Sequence, residues 1–271
     1  MLRFRPSTAI PCRTLDRVQL FRIIAMTVGI EAGVLLVDKP VGKTSFAMVR
    51  AVRRLLKIKK VGHAGTLDPF ASGLLVVCIG RPATKLVSAL MEGEKEYLAT
   101  LQLGAVSTTQ DPEGEISATT AFAGVSGKTV EQVFGRFRGM IRQTPPSFSA
   151  LKYKGKPLYH YARRGISIQK ESREVSISHL EWLDRRAFID TREPSLSIKV
   201  RCSKGTYIRT LAADIGDAIG CGAYLSALRR TRSGFFSVQG SVPGSYLDKT
   251  GVNDLLYKSI LSVENVQNLL Q

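Results

Sequence analysis

Two short apolar runs constrain this chain more than anything else in it: Val34–Val37, closed by Pro40, and Leu74–Ile79. Each reads as a buried strand, the first stopped by a proline that offers no ladder donor. Between them Thr44 or Ser45 can cap a helix with Val49, Val52, Leu55 and Leu56 as its apolar stripe, and residues 58–73 read as a basic, glycine-containing loop. Beyond the second run, Pro82 suits the first turn of a helix to about Met91, and Tyr97–Leu103 alternates as a strand. Residues 104–128 lack periodicity and read as a loop or insertion; Thr129 opens a short helix through Phe134 and Phe137. After Pro145-Pro146, Pro157 opens another that carries Tyr159 and Tyr161. Residues 173–183 and 195–202 read as strands. Thr206 starts an amphipathic helix with Ile208, Leu211, Ala212, Ile215 and Ile219 on one face and Gly220 as its C-cap. Residues 222–230 and 234–238 read as extended, although Leu225 and Leu228 also fit a helical turn. Strands and helices are interspersed without regular alternation, which predicts an α+β class: a mixed, largely antiparallel sheet flanked by helices and loops.

With 271 residues and a hydrophobic fraction of 44%, the chain suits one large domain, or one domain with a small appendage. The formal net charge of +17 attracts polyanions, and phosphate backbones are the commonest a protein meets. Cys12, Cys78, Cys202 and Cys221 show no CxxC spacing, and His63, His160 and His179 share no ligand spacing with them. The expectation is therefore no metal site, no disulfide framework and reduced thiols in the cytoplasm. No apolar run approaches the roughly 20 residues of a membrane span. Residues 1–25 hold five arginines against one acid, Asp16, the pattern of a transit peptide or of sequence upstream of a true start at Met26. The domain expectation is an N-terminal extension over 1–25, a catalytic domain over 26–240 and a short C-terminal tail over 241–271.

Three stretches can carry chemistry. Gly42-Lys43-Thr44-Ser45 imitates the end of a P-loop, but Val37 stands where that loop needs glycine and Pro40 removes an amide donor. His63-Ala64-Gly65-Thr66-Leu67-Asp68-Pro69 holds an aspartate in an irregular segment between apolar elements, where scaffolds usually place catalytic groups. By spacing alone an Asx turn at Asp68 and an ordinary loop histidine at His63 explain it better. Lys204-Gly205-Thr206-Tyr207-Ile208-Arg209 puts a tyrosine and an arginine at a helix start, which favours a nearby anion: a phosphate or the Asp68 carboxylate. Pro145–Lys152, with Lys154, Lys156, Tyr159, Tyr161, Arg163 and Arg164, interleaves cations and aromatics as a base-stacking, backbone-tracking surface does.

These blocks make the resemblance specific. GVLLVDKPVGKTS (33–45), VGHAGTLDPFASGLLVVCIGRPATK (61–85), EKEY (94–97), PPSFSALKYKGKPLYHYAR (145–163) and KGTYIRTLAADIG (204–216) resemble, in order, those of the bacterial TruB-type tRNA pseudouridine synthases, which modify uridine 55 in the T loop. The resemblance implies an isomerase that takes the T arm of tRNA as partner; an isomerisation involves no redox change and so needs no cofactor, and a cytoplasmic monomer is the default expectation. It implies that Asp68 is the essential carboxylate, that Tyr97 stacks on the target base and that Arg209 pairs with Asp68. It also implies that His63 attends the flipped nucleotide and that Tyr207, Lys39 and Leu228 line the pocket. Chemically, the N1–C1′ bond must break, the base turn, and C5 join C1′, so the nucleotide must first leave its stack. Asp68 could act at C1′, at C6 or on the 2′ proton, and a tyrosine such as Tyr97 could take the C5 proton. A non-catalytic tRNA-binding or folding factor on the same scaffold is the alternative. Relatives often carry a C-terminal RNA-binding domain of the PUA type, for which the residues after Gly240 are too few.

Overall fold

The computed structural model describes residues 31–119, 122–249 and 251–271; the expectation for residues 1–25 lies outside the described residues. The first apolar run extends to β1 (Gly33–Lys39), followed by α1 (Ser45–Leu56), a short β2 (Val61–Ala64) and β3 (Ser72–Ile79). β1 and β3 pair antiparallel from Gly33↔Ile79 to Lys39↔Gly73. α1 is capped by Thr44, whose hydroxyl accepts from the Ala47 N–H at 3.0 Å, and it ends at Lys57 in the left-handed region. β2 departs from the loop predicted over 58–73: Val61–Ala64 pairs with β3 from Val61↔Ile79 to Ala64↔Val76. Four residues containing a glycine and a histidine are too few to display a strand period.

The helix predicted from Pro82 is two short ones, α2 (Gly80–Lys85) and α3 (Val87–Glu92), separated at Leu86. β4 (Lys95–Leu103) follows, then a hairpin of β5 (Ala105–Ser107) and β6 (Ile116–Ala118) within the predicted insertion. α4 (Gly127–Phe137) is capped by Ser126 and leads to β7 (Gly139–Gln143), α5 (Leu158–Ala162), β8 (Arg173–Trp182) and β9 (Ser195–Cys202). α6 (Ile208–Ile219) starts two residues later than predicted and closes on Gly220 at φ +90°. The chain then runs through β10 (Ala223–Ser233), β11 (Phe236–Ser237), β12 (Val242–Pro243), α7 (Asn253–Ser259), β13 (Ile260–Leu261) and α8 (Val263–Leu270).

The main sheet runs β12-β1-β3-β10-β4-β9-β8-β7, with β2 on β3, β11 on β10 and β13 on β1. Only β1–β12 and β3–β10 are parallel, so the sheet is mixed and largely antiparallel, as the sequence predicts. β10 joins its two halves. Toward β3 it makes a brief parallel contact, Arg229↔Ser72 and Arg230↔Gly73; toward β4 it pairs antiparallel with register shifts between Leu225 and Ala227 and between Arg230 and Arg232. Helices cover the sheet where its residues are apolar. α1 buries Met48, Val49 and Val52 against Leu35, Val37, Leu75 and Val77, while α4 and α6 bury Phe134, Leu211 and Ile215 against Leu101, Leu196 and Ile198. Each such side chain contributes about 1.5–3 kcal/mol on leaving water.

The residues after Gly240 pack on this sheet. β12 and β13 both pair with β1, and Leu247, Leu256 and Val266 are fully buried. Their apolar side chains reach a core they are too few to build alone. Among the described residues no helix is long and apolar enough to cross a membrane.

Candidate active site

The loop from Gly65 to Ala71, between β2 and β3, is held from beneath. The Ser45 hydroxyl donates to the Leu67 carbonyl at 3.0 Å and accepts from the Leu67 N–H at 2.8 Å. The Gly42 N–H donates to the Pro69 carbonyl at 2.8 Å, and a turn forms as the Ala71 N–H donates to the Asp68 carbonyl at 3.1 Å. Lys39 is fully buried, and its ammonium donates to the carbonyls of Lys43 (2.6 Å), Pro40 (2.9 Å) and Pro69 (3.2 Å). Expected to line the pocket, Lys39 instead lies under the loop and buttresses it. Burial pushes its pKa down to about 8, against the pull of the Asp68 and Glu113 charges.

Asp68 stands at the crest of the loop, its side chain 36% exposed. Arg209, at the start of α6, is 4% exposed and sets Nε 2.9 Å from Asp68 Oδ2. That N–H meets no hydrogen-bond alignment, so the contact is an ion pair by distance. The remaining nitrogens face elsewhere. Nη1 donates to Asp111 Oδ2 at 3.1 Å and to the Thr109 carbonyl at 2.9 Å, and Nη2 donates to the Phe148 carbonyl at 2.7 Å. The guanidinium thus joins four segments of chain at one point. Asp68 Oδ1 accepts no hydrogen bond from the described residues, which leaves one oxygen for a substrate. Burial pushes the Asp68 carboxyl up; Arg209 opposes this, Asp111 adds to it, and the net direction is upward. Arg209 offsets the burial only in part because it is shared with a second carboxylate.

Sequence reasoning missed that second carboxylate. Asp111 is 2% exposed and takes the Glu113 N–H at 3.0 Å and the Thr109 hydroxyl. It lies in the predicted insertion, where aperiodic polar sequence gave no sign of burial. The available signal was Asp111-Pro112 followed by Gly114, a turn motif with an acid at its head. Ser45, read as one of two possible caps, was the other omission.

The other expected residues gather more loosely. His63 lies on β2, half-buried, with Nδ1 buried and unpartnered; burial and then the Arg230 charge hold its pKa below the ordinary value. Tyr97, on β4 opposite Arg230, is 9% exposed, and burial raises its pKa, with Arg230 opposing and Asp68 adding. At ordinary pH it is a neutral phenol. Leu228 pairs with Ala99 on β4 and helps line a groove of about 370 Å³ with Phe70 and Leu98. Tyr207 caps α6: Gln143 brackets its backbone, accepting from its N–H at 2.8 Å and donating to its carbonyl at 3.0 Å. Its ring faces the Arg173 guanidinium at 5.4 Å. The tyrosines of the basic stretch are not core residues. Tyr153 and Tyr159 are exposed, with Lys154 and Arg163 each 5.6 Å from the ring they face.

The sheet thus presents Asp68 on the loop between β2 and β3, held by the buried, helix-borne Arg209. A solved Cbf5-Nop10-Gar1 complex holds a chain similar to this one at a TM-score of 0.65 and 30% identity, over 90% of this chain and 64% of that one, so the protein spans just under two thirds of it. A sequence profile of the TruB family pseudouridylate synthase N-terminal domain matches residues 53–208, and one of the tRNA pseudouridylate synthase B C-terminal domain matches residues 209–266. The tRNA pseudouridine synthase B of Desulfotalea psychrophila is 53% identical over 240 residues, 89% of this chain and 97% of that protein. That of Bordetella pertussis is 50% identical over 212 residues, 78% and 84%. The chain belongs to the TruB family.

Proposed function

We propose that the protein converts uridine 55 in the T loop of tRNA to pseudouridine, with Asp68 as the reacting carboxylate. The observation that carries this reading is the clamp on Asp68: one oxygen lies 2.9 Å from a buried arginine while the side chain stays 36% exposed. The target nucleotide leaves the stack of the loop and enters beside Asp68, where His63 attends the opened stack and Tyr97 packs against the base with Leu228. The N1–C1′ bond breaks, the uracil turns, and C5 bonds to C1′; the hydrogen lost from C5 is matched by one gained at N1. Burial strengthens Asp68 as a base and nucleophile, and Arg209 keeps its charge in place as the sugar reacts. The exposed tyrosines and cations of residues 152–164 support an RNA surface that tracks the T-arm backbone, and the +17 charge supports attraction from a distance. The protein acts as a monomer in the cytoplasm, where tRNA is available.

An unmodified tRNA transcript incubated with the purified protein and mapped for pseudouridine tests this. Modification is expected at position 55 with the native protein and none with Asp68→Asn, which still binds tRNA. Full activity in Asp68→Ala overturns the assignment and leaves a binding or folding factor.

A further inference from the structure

Among the described residues the largest fully buried side chain belongs to an arginine, Arg230, at 1% exposure. It lies on β10 where that strand meets Gly73 of β3 on one side and Tyr97 of β4 on the other. Its Nε donates to the Leu74 carbonyl at 2.7 Å and its Nη2 to the Gly65 carbonyl at 3.0 Å. Those carbonyls flank the loop that carries Asp68. A glycine in the loop and another at the start of β3 are matched to this residue. Gly73, at φ +102°, would set a Cβ 2.2 Å from the Arg230 carbonyl oxygen, and Gly65, at φ +86°, would set one 3.4 Å from Nη1. Among the described residues no carboxylate forms an ion pair with this guanidinium. Its charge acts on Lys39 of β1, His63 of β2, and Lys95 and Tyr97 of β4.

A guanidinium buried without a counter-ion is a costly way to fill a core, and methionine would occupy the space without that desolvation. What methionine lacks is a rigid set of donors that reaches two carbonyls in different directions. We infer that Arg230 is a positioning residue for the isomerisation: it ties both ends of the Asp68 loop to one point beside Tyr97. This rests on Asp68 being the reacting carboxylate. Arg230 need not touch the substrate.

Arg230→Met and Arg230→Lys, made in the full chain, test it. Displacing a reacting group by about 1 Å lowers turnover about 10²-fold. Both variants are expected to lose about that much kcat while KM for tRNA stays within about threefold, the signature of lost transition-state alignment rather than lost binding. Arg230→Lys retains a cation but not the two-ended reach, so native kcat in that variant overturns the two-ended tie. Loss of the folded circular-dichroism spectrum in both variants overturns the inference too, because the arginine is then a packing residue. A native protein that leaves tRNA unmodified sinks the proposed function instead.

Discussion

Two aspartate–arginine pairs flank β3 and are built to opposite designs. In the Asp38–Arg229 pair both terminal nitrogens meet both oxygens, at 3.0 and 2.7 Å, with the side chains 30% and 40% exposed. That is a complete fork on a carboxylate, and neither oxygen lacks a donor. In the Asp68–Arg209 pair the arginine is 4% exposed and offers Asp68 one nitrogen only, spending the others on Asp111 and two carbonyls. The first pair satisfies a charge; the second offers Asp68 one nitrogen of an arginine that is buried and shared with Asp111. Burial, sharing and incomplete contact are what the proposed reacting carboxylate has and Asp38 lacks.

The comparison is sharpest at the aspartates. Asp68→Asn should lower pseudouridine formation by at least about 10⁴-fold, measured by single-turnover assay. Arg209→Lys comes next, at about 10²-fold in kcat, because an ammonium cannot reach Asp68, Asp111 and the carbonyls together. Native turnover in that variant would break the distinction between the pairs. Asp111→Asn leaves Arg209 short of a buried counter-charge and should cost about 3 kcal/mol by denaturant unfolding. It also removes a charge that raises the Asp68 pKa, so the acid limb of the rate profile should move to lower pH.

The sign for Asp68 itself runs upward. Its folded pKa exceeds its unfolded one, so its contribution to stability declines as pH rises from the ordinary aspartate range through the folded value, while the ionised, active form accumulates. Lys39 runs the other way. Its pKa falls from 10.5 to about 8, so the unfolded chain holds the proton more tightly and stability gains as pH rises across that window. A neutral amine, however, has two N–H groups for three carbonyls. The kcat/KM profile should therefore decline above about pH 8, and that limb should vanish in Lys39→Met. The smallest effect belongs to the half-buried pair: Asp38→Asn should change stability by about 1 kcal/mol and leave turnover near native.

Legibility in the sequence followed the same division. The long strands and α6 were readable because their apolar period was intact. β10 was ambiguous: Leu225 and Leu228 sit three apart yet are both buried, because an irregularity between Leu225 and Ala227 resets the strand's alternation. At the site, Asp68 and Arg209 were identifiable through the ordered resemblance, since spacing alone allowed an Asx turn and a surface arginine. Asp111 and Arg230 were not. Each acts across about 100 residues or more of chain on a partner that only the folded sheet brings near, Arg209 for the one and Gly65 for the other. Lys39 was identifiable through the same resemblance; its burial and its three carbonyl contacts were not, because they join segments that only the fold brings together.

β1 has an apolar interior strand's composition but only β3 as a long partner; its remaining edge is closed by Val242–Pro243 and Ile260–Leu261. A nascent chain leaving the ribosome therefore carries an unsealed strand rim until its last thirty or so residues emerge. Ribosome-bound intermediates halted before that point should be the ones most prone to self-association, and chaperone demand during synthesis should peak there.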